Sequence, residues 1–480
     1  MEAVGAKAID DFVKARRGHS VQTRVILFLA LTGALSFACA QPAMAEKPVR
    51  SPEVIHTGKG PTGYTVTFRY WNPSAKKVQV KGEWYFARSG TMVQTTPAAG
   101  YPVFEGQGIL PQGWQPGDFP LVKFDPKDPY SLGGNWPVAD MAKDKDGVWT
   151  YTTPLPSGVF TYGFLVDCAE PCKTGNGIGV KTISDPSNRP WNETKDGVVD
   201  GSIQRNSQVY VPSDPNFDTV DYSWEGPAKH QGKLTHITYA SPGHLAPKDT
   251  NYIVVYTPPG YDPTRAKPYP TLYISHGWGA AYEMNWSTEA VAGNILDNLI
   301  DTGQIEPVVA VMGPKEDGFD DHGDPPGGLR YFDRRERDLI DNVMPYIEKH
   351  YHVSTSPMDR AFTGGGGATI AFFLNHPEVF QYYGAVGAGL PKDNETLTPE
   401  QIAGLKGKSI SIGGGWQDPT FRGFPPAHTG VDREVTAFAK AGIPVTTDFI
   451  NGGHEYSVFR VTFRDFLTRV AFLPRPYEAW

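Results

Sequence analysis

The chain has 480 residues, a formal net charge of −8, 53 glycines and 43 prolines. That length allows about two or three domains, and so much glycine, proline and aromatic side chain suits β-rich and α/β domains with long loops rather than a helical bundle. Charge that is mildly acidic and scattered leaves no basic footprint for nucleic acid.

The first 45 residues read as an export signal. Arg16, Arg17 and Arg24 precede an apolar run from Val25 to Ala38, and Ala43-Met44-Ala45 supplies the small residues ahead of a cleavage site. The apolar run is about 14 residues, short of the roughly 20 that a membrane helix needs. A mature start near Glu46 is expected, with a periplasmic or secreted protein and no stable membrane insertion after cleavage. Cys168 and Cys172 are the cysteines left beyond that point. They sit in a loop-like stretch, where an exported protein is expected to form a local disulfide. No further Cys or His clusters near them, so no metal site is expected, and no cofactor.

Residues 50–205 read as all-β. Period-two alternation at Tyr64–Tyr70 and Lys77–Val80, and again at Gly147–Thr152 and Gly158–Val166, is broken by Gly, Pro, Asn and Asp clusters. Two small sheets packed as a sandwich would bury the inward residues. Trp71, Trp84, Tyr85, Trp114 and Trp136 fall in this region, either as core or as a sugar platform, and core is preferred. Residues 206–235, rich in Asp, Ser, Gly and Pro, read as a linker.

From 236 to 475 strands and helices alternate. Tyr252–Thr257, Thr271–Ser275, Val308–Met312, Tyr383–Gly387, Ser409–Ile412 and Val445–Phe449 read as strands. Helices are expected at Ser287–Thr302, with Ser287 as N-cap, at Arg334–His350, near Arg433–Ala441 and near Ser457–Val470. Buried strands alternating with helices imply a doubly wound, mostly parallel sheet. Residues 360–369, Arg-Ala-Phe-Thr-Gly-Gly-Gly-Gly-Ala-Thr, form a strand–turn–helix corner, and no serine lies between Ser356 and Ser409.

Several phrases carry a resemblance: 256–261 (Tyr-Thr-Pro-Pro-Gly-Tyr), 269–277 (Tyr-Pro-Thr-Leu-Tyr-Ile-Ser-His-Gly), 340–348, His376-Pro377-Glu378-Val379-Phe380 and Gly452-Gly453-His454-Glu455. Over roughly residues 235–475 the chain resembles the α/β-hydrolase esterases that include feruloyl esterases, enterochelin esterases and mycolyl transferases. The all-β region resembles the immunoglobulin-like early-set domain that precedes some secreted esterases, through 68–73 (Phe-Arg-Tyr-Trp-Asn-Pro), Gly147-Val148-Trp149, 162–167 and Asp185-Pro186-Ser187-Asn188. The implied fold is an α/β-hydrolase domain behind an immunoglobulin-like sandwich, and the implied partner is a small-molecule or glycan-linked ester.

Such an esterase needs a nucleophile, an imidazole to activate it, a carboxylate to orient the imidazole, and N–H donors for the oxyanion. By the family's chain order His454 is the base and Asp418 the acid. Backbone amides at Gly277 or Trp278 and at Gly367 would form the oxyanion hole. The nucleophile's place falls on a glycine. Counting from Tyr351 and Arg360-Ala361 puts Gly366 at the elbow, whereas counting back from His376-Pro377 puts Thr363 there. Gly366 is preferred, because it leaves 361–365 as the buried strand and because a β-branched residue fits a strained turn poorly. Two functions stay open: an ester hydrolase lacking the usual serine, and a non-catalytic member that binds an ester, glycan or siderophore-like ligand.

Overall fold

The computed structural model describes residues 49–90, 93–95, 102–104, 108–121, 136–168, 182–188, 206–276, 285–313, 329–391, 395–422 and 430–473. The expected signal segment therefore lies outside the described residues. Among the described residues, no helix is long and apolar enough to cross a membrane.

Among the described residues, the first part is built of strands apart from 3-10 turns. In chain order these are β1 (Glu53–His56), β2 (Tyr64–Trp71), β3 (Val78–Gly82), β4 (Phe86–Ala87), β5 (Val93–Thr95), β6 (Pro102–Phe104), β7 (Phe119–Pro120), β8 (Val138–Asp140), β9 (Ala142–Lys143), β10 (Val148–Pro154), β11 (Gly158–Val166) and β12 (Ser207–Val211). Two four-stranded sheets form, in the orders β1-β2-β10-β9 and β12-β11-β3-β8. Their inward residues share one core, with Val66 and Phe68 from one sheet against Val80, Tyr162 and Phe164 from the other. Alternation drives this: each strand turns one face inward, and burying that face stabilises the pair by roughly 25 cal/mol per Å² of apolar surface. Trp84 and Trp114 lie inside this core. The Trp71 indole donates to the Asp146 carbonyl, and Lys81 stands over Trp136.

β12 lies within the stretch read as linker. It pairs antiparallel with β11, Val209 opposite Phe160. The short Gln-Val-Tyr-Val alternation is flanked by proline, serine and aspartate, which hide a strand of only five residues.

The second part runs β13 (Lys233–Leu245), β14 (Lys248–Thr257), β15 (Thr271–Ser275), α1 (Asn285–Thr288), α2 (Ala292–Asp301), β16 (Val309–Met312), α3 (Leu329–Asp338), α4 (Met344–His350), β17 (Arg360–Gly365), α5 (Gly366–Asn375), β18 (Tyr382–Val386), α6 (Pro399–Leu405), β19 (Ser409–Gly415), α7 (Val431–Lys440), β20 (Thr446–Ile450) and α8 (Tyr456–Arg469). The eight strands form one sheet in the order β13-β14-β16-β15-β17-β18-β19-β20. β13, β14 and β16 pair antiparallel, and every pairing from β16 through β20 is parallel. Apolar clusters cover both faces, one centred on Phe362, Phe373, Phe380 and Phe438, the other on Leu272, Ile295, Phe463 and Phe466. This is the doubly wound α/β-hydrolase architecture, and it brings the loops after the parallel strands to one edge of the sheet.

Two helices differ in detail from the sequence reading. The expected Ser287–Thr302 helix is broken by Val291 in the left-handed region, and Ser287 sits inside α1 rather than capping α2. The Arg334–His350 helix contains a π turn at Leu339–Val343 just before Pro345. Proline has no N–H to give the ladder, and the wider turn accommodates the missing bond.

Candidate functional site

The base corner lies where β19 and β20 end. After Gly415 the chain turns sharply: Asp418 N donates to the Gly415 carbonyl at 3.0 Å, and Gln417 N donates to the Gly452 carbonyl at 2.9 Å. The Gln417 side chain returns the bond, accepting from Gly452 N at 2.8 Å. This reciprocal pair stitches the loop that holds Asp418 to the loop that holds His454. The sequence reading did not single out Gln417.

Asp418 is buried. One carboxylate oxygen accepts from Thr420 N at 2.8 Å and from Thr420 Oγ1 at 2.6 Å. The other lies 2.9 Å from His454 Nδ1. The Asp-Pro-Thr spacing is an Asx-turn signal that could have flagged Thr420 in the sequence. With one oxygen held by its own turn, the carboxylate presents the other in a fixed direction. The imidazole is about a quarter exposed. Burial works to lower its pKa, but the Asp418 charge and hydrogen bond outweigh burial and hold it above the ordinary histidine value. The Phe459 ring meets the imidazole edge-on at 4.9 Å and 85°. Glu455, beside the base, is buried and accepts from Gly453 N at 2.7 Å, so it braces the loop.

The elbow corner is the junction of β17 and α5. Gly364 has φ +112°, and a Cβ added there would lie 2.2 Å from the Ser275 carbonyl oxygen. Only glycine suits both that backbone and that approach to β15. Gly366 is the first residue of α5. A Cβ on it would lie 2.6 Å from Ala388 Cβ, 2.7 Å from Ala388 N and 2.7 Å from the Val386 carbonyl oxygen. The chain after β18 therefore occupies the space that a side chain at Gly366 would need. In that same segment Gly387 has φ +68°, and its Cβ position is 3.0 Å from His454 Cε1 and 3.4 Å from Asp418 Oδ2. Segment 386–388 thus links the two corners, with Gly366 on one side and the imidazole–carboxylate pair on the other.

Thr363 is fully buried within β17. Its hydroxyl donates to the Gly384 carbonyl at 2.8 Å, in the neighbouring strand. Gly367 follows Gly366 in the first turn of α5, where backbone N–H groups have no acceptor within the helix and the dipole favours negative charge. Gly277 and Trp278 lie outside the described residues, although β15 ends directly before them. Cys168 is disulfide-bonded; Cys172 lies outside the described residues. Among the described residues, no group of three or more His, Cys, Asp or Glu side chains could hold a metal ion.

Beside the elbow, Ser275, Gly313, Phe332, Glu336, Ala368 and Phe372 help line a pocket between the sheet, α3 and α5. From the other side, Leu121 of the all-β part reaches the base loop: a Cβ at Gly453 would lie 3.6 Å from Leu121 Cδ1.

Residues 246–470 fit the family model described as putative esterase. An endo-1,4-beta-xylanase/feruloyl esterase of Xylanibacter ruminicola is 29% identical over 346 residues, which are 68% of this chain and 40% of that protein. Endo-1,4-beta-xylanase Y of Acetivibrio thermocellus is 30% identical over 174 residues, 34% of this chain and 15% of that protein. The chain thus spans less than half the length of these curated relatives. Among solved structures, the enterobactin esterase FES of Shigella flexneri aligns at 14% identity with a TM-score of 0.47, covering 84% of this chain and 92% of the other. Residues 246–470 thus match an esterase family model, and they lie in the part of the chain built on the eight-stranded sheet.

Proposed function

We propose that this chain is an exported carboxylic-ester hydrolase in which the Asp418–His454 pair works on water rather than on a serine. The observation that carries this reading is the pair itself: His454 Nδ1 lies 2.9 Å from Asp418 Oδ2 while the ring stays about a quarter exposed. Nδ1–H donates to the carboxylate, which leaves the Nε2 lone pair free to act as a base. His454 Nε2 takes a proton from water as the water oxygen bonds to the acyl carbon, and the carbonyl π electrons move to oxygen. The resulting anion is held by backbone N–H groups, for which Gly367 and the chain after β15 are the candidates. As it collapses, the bond to the alcohol oxygen breaks, and the imidazolium returns its proton to that oxygen. Acid and alcohol leave. Thr363 has no part here, because its hydroxyl is buried and bonded to Gly384.

The proposed substrate is a feruloyl, acetyl or siderophore-type ester, and the feruloyl esterase in the name of the Xylanibacter relative supports the first. The all-β part is read as an early-set immunoglobulin-like domain, and the mature protein as periplasmic or secreted.

A second reading has its own observation. The Cβ space at Gly366 is filled by Val386 and Ala388, as expected of a cleft kept for binding rather than turnover. One assay separates the two. Purified protein is given p-nitrophenyl acetate and a feruloyl ester, alongside His454→Ala and Asp418→Asn. Turnover lost in both variants supports the hydrolase. Saturable binding of the feruloyl ester with no turnover above the His454→Ala background supports the binding protein.

A further inference from the structure

The joint between the two parts of the chain is buried and polar. β11 pairs with β12 along one edge, but on its other edge β3 ends opposite Tyr162. Beyond the end of β3, Glu83 N still donates to the Thr161 carbonyl at 3.0 Å, and side chains serve Thr161 N and both backbone groups of Val159. Glu225 Oε2 accepts from Val159 N at 2.8 Å, and Glu83 Oε2 accepts from Thr161 N at 3.0 Å. Arg460 Nη1 donates to the Val159 carbonyl at 2.9 Å. A buried backbone N–H or carbonyl left unpaired is strongly unfavourable, so these contacts are obligatory.

Arg460 crosses between the parts. It stands on α8 and is 1% exposed. Nη2 and Nε donate to the Glu289 carbonyl at 2.6 and 3.2 Å, and Nη1 lies 3.6 Å from Glu225 Oε2. Burial pushes the carboxyls of Glu83, Glu225 and Glu289 above their ordinary range, and Arg460 acts against that rise at all three.

The position of α8 gives this joint its meaning. The helix starts at Tyr456, two residues after His454, and its Phe459 ring is the one that meets the imidazole. Tyr456 packs edge-on against Phe459 at 5.7 Å and also hydrogen-bonds the Glu289 side chain. Arg460 is the next residue along and lies one helical turn from Tyr456. A planar guanidinium bonded to two carbonyls in different elements fixes both the rotation and the height of that first turn.

We infer that the all-β part is a working support of the imidazole: Arg460 is a positioning residue that locks the first turn of α8 between β11 and the Glu289 carbonyl, and so holds Phe459 against His454. The inference rests on reading His454–Asp418 as the reactive pair, but its test needs no turnover. The His454 ring is titrated by NMR in the full chain, its signal assigned by its loss in His454→Gln. The parent midpoint is expected above the ordinary histidine value, since the Asp418 charge and hydrogen bond outweigh burial. Arg460→Met lowers it by about half a pH unit, as the ring loosens from Asp418. Arg460→Lys, which keeps the charge and loses the planar fork, lowers it by less. Phe459→Leu, which leaves the polar joint intact, lowers it as Arg460→Met does. Val66→Ala, a truncation in the core of the all-β part, lowers the melting temperature and leaves the midpoint in place. If Arg460→Met does not fold, Arg460→Lys and Phe459→Leu decide. A midpoint that stays put in the folded Arg460 and Phe459 variants, or moves as far in Val66→Ala, overturns the inference. A parent without esterase activity would refute the proposed reaction and leave this one standing.

Discussion

The two corners of the cleft differ in what builds them. At the base corner, Asp418 bonds Thr420 and His454, and the Gln417 side chain bonds Gly452 N in the loop before His454. At the elbow corner the run Gly364–Gly367 bears no functional side chain, and segment 386–388 has closed on it. The first corner depends on side-chain chemistry and breaks when one atom is lost. The second depends on backbone, where N–H donors persist whatever the side chain. Under the proposed reaction, the first corner would supply the base and carboxylate, and the second would supply backbone N–H groups without a side-chain nucleophile.

The sharpest way to break this contrast is to remove the base. His454→Ala is expected to lower the hydrolysis rate about 10²–10⁴-fold, the usual worth of a positioned general base, with unfolding little changed. Equal rates for parent and variant would mean that the base corner does no chemistry. Next comes Gly364→Ala. Its φ of +112° and the 2.2 Å approach to the Ser275 carbonyl predict a loss of about 3 kcal/mol or more in urea unfolding. A near-neutral result would mean that the elbow is not tightly built.

Gly366→Ser probes whether the elbow can be restored. The overlap with Val386 and Ala388 predicts a cost of about 1–3 kcal/mol, and Ala388→Gly in the same chain should recover part of it by removing the Cβ contact. Esterase activity that depends on His454 is expected to rise in the double variant more than in Gly366→Ser alone. Thr363→Ala should cost about 1–2 kcal/mol through the orphaned Gly384 carbonyl and leave the rate unchanged. A rate that collapses would move the nucleophile to Thr363.

The smallest effect is in pH. The folded His454 pKa is raised, so its pairing with Asp418 contributes stability that is fully present below the unfolded value of about 6.5 and is lost as pH rises through the folded value. The melting temperature should fall across that window in the parent and not in His454→Gln. The base needs a neutral ring, so the rate should climb across the same window.

Much of this was legible in the chain itself. Alternating strand and helix patterns between residues 236 and 475 announced a doubly wound sheet, because a buried parallel strand needs a continuous apolar run such as Thr271–Ser275. Motif and chain order singled out His454 and Asp418, and the fold brings the two side chains within 2.9 Å of each other. The short strand β12 was not found, since five residues among prolines and aspartates carry little periodic signal. Gln417, Phe459 and Arg460 were not found either, because each acts on a group that only folding brings near.

The local code of this sequence determined which residues could turn, pair or titrate: glycines at the elbow, a histidine after two glycines, an aspartate after a strand. Only the tertiary structure decided what those residues meet. That Gly366 faces the 386–388 backbone, and that Arg460 reaches Val159 some 301 positions away, are facts of packing. Steric exclusion and buried hydrogen-bond demand act between atoms close in space, and no pattern along a single strand or helix encodes them.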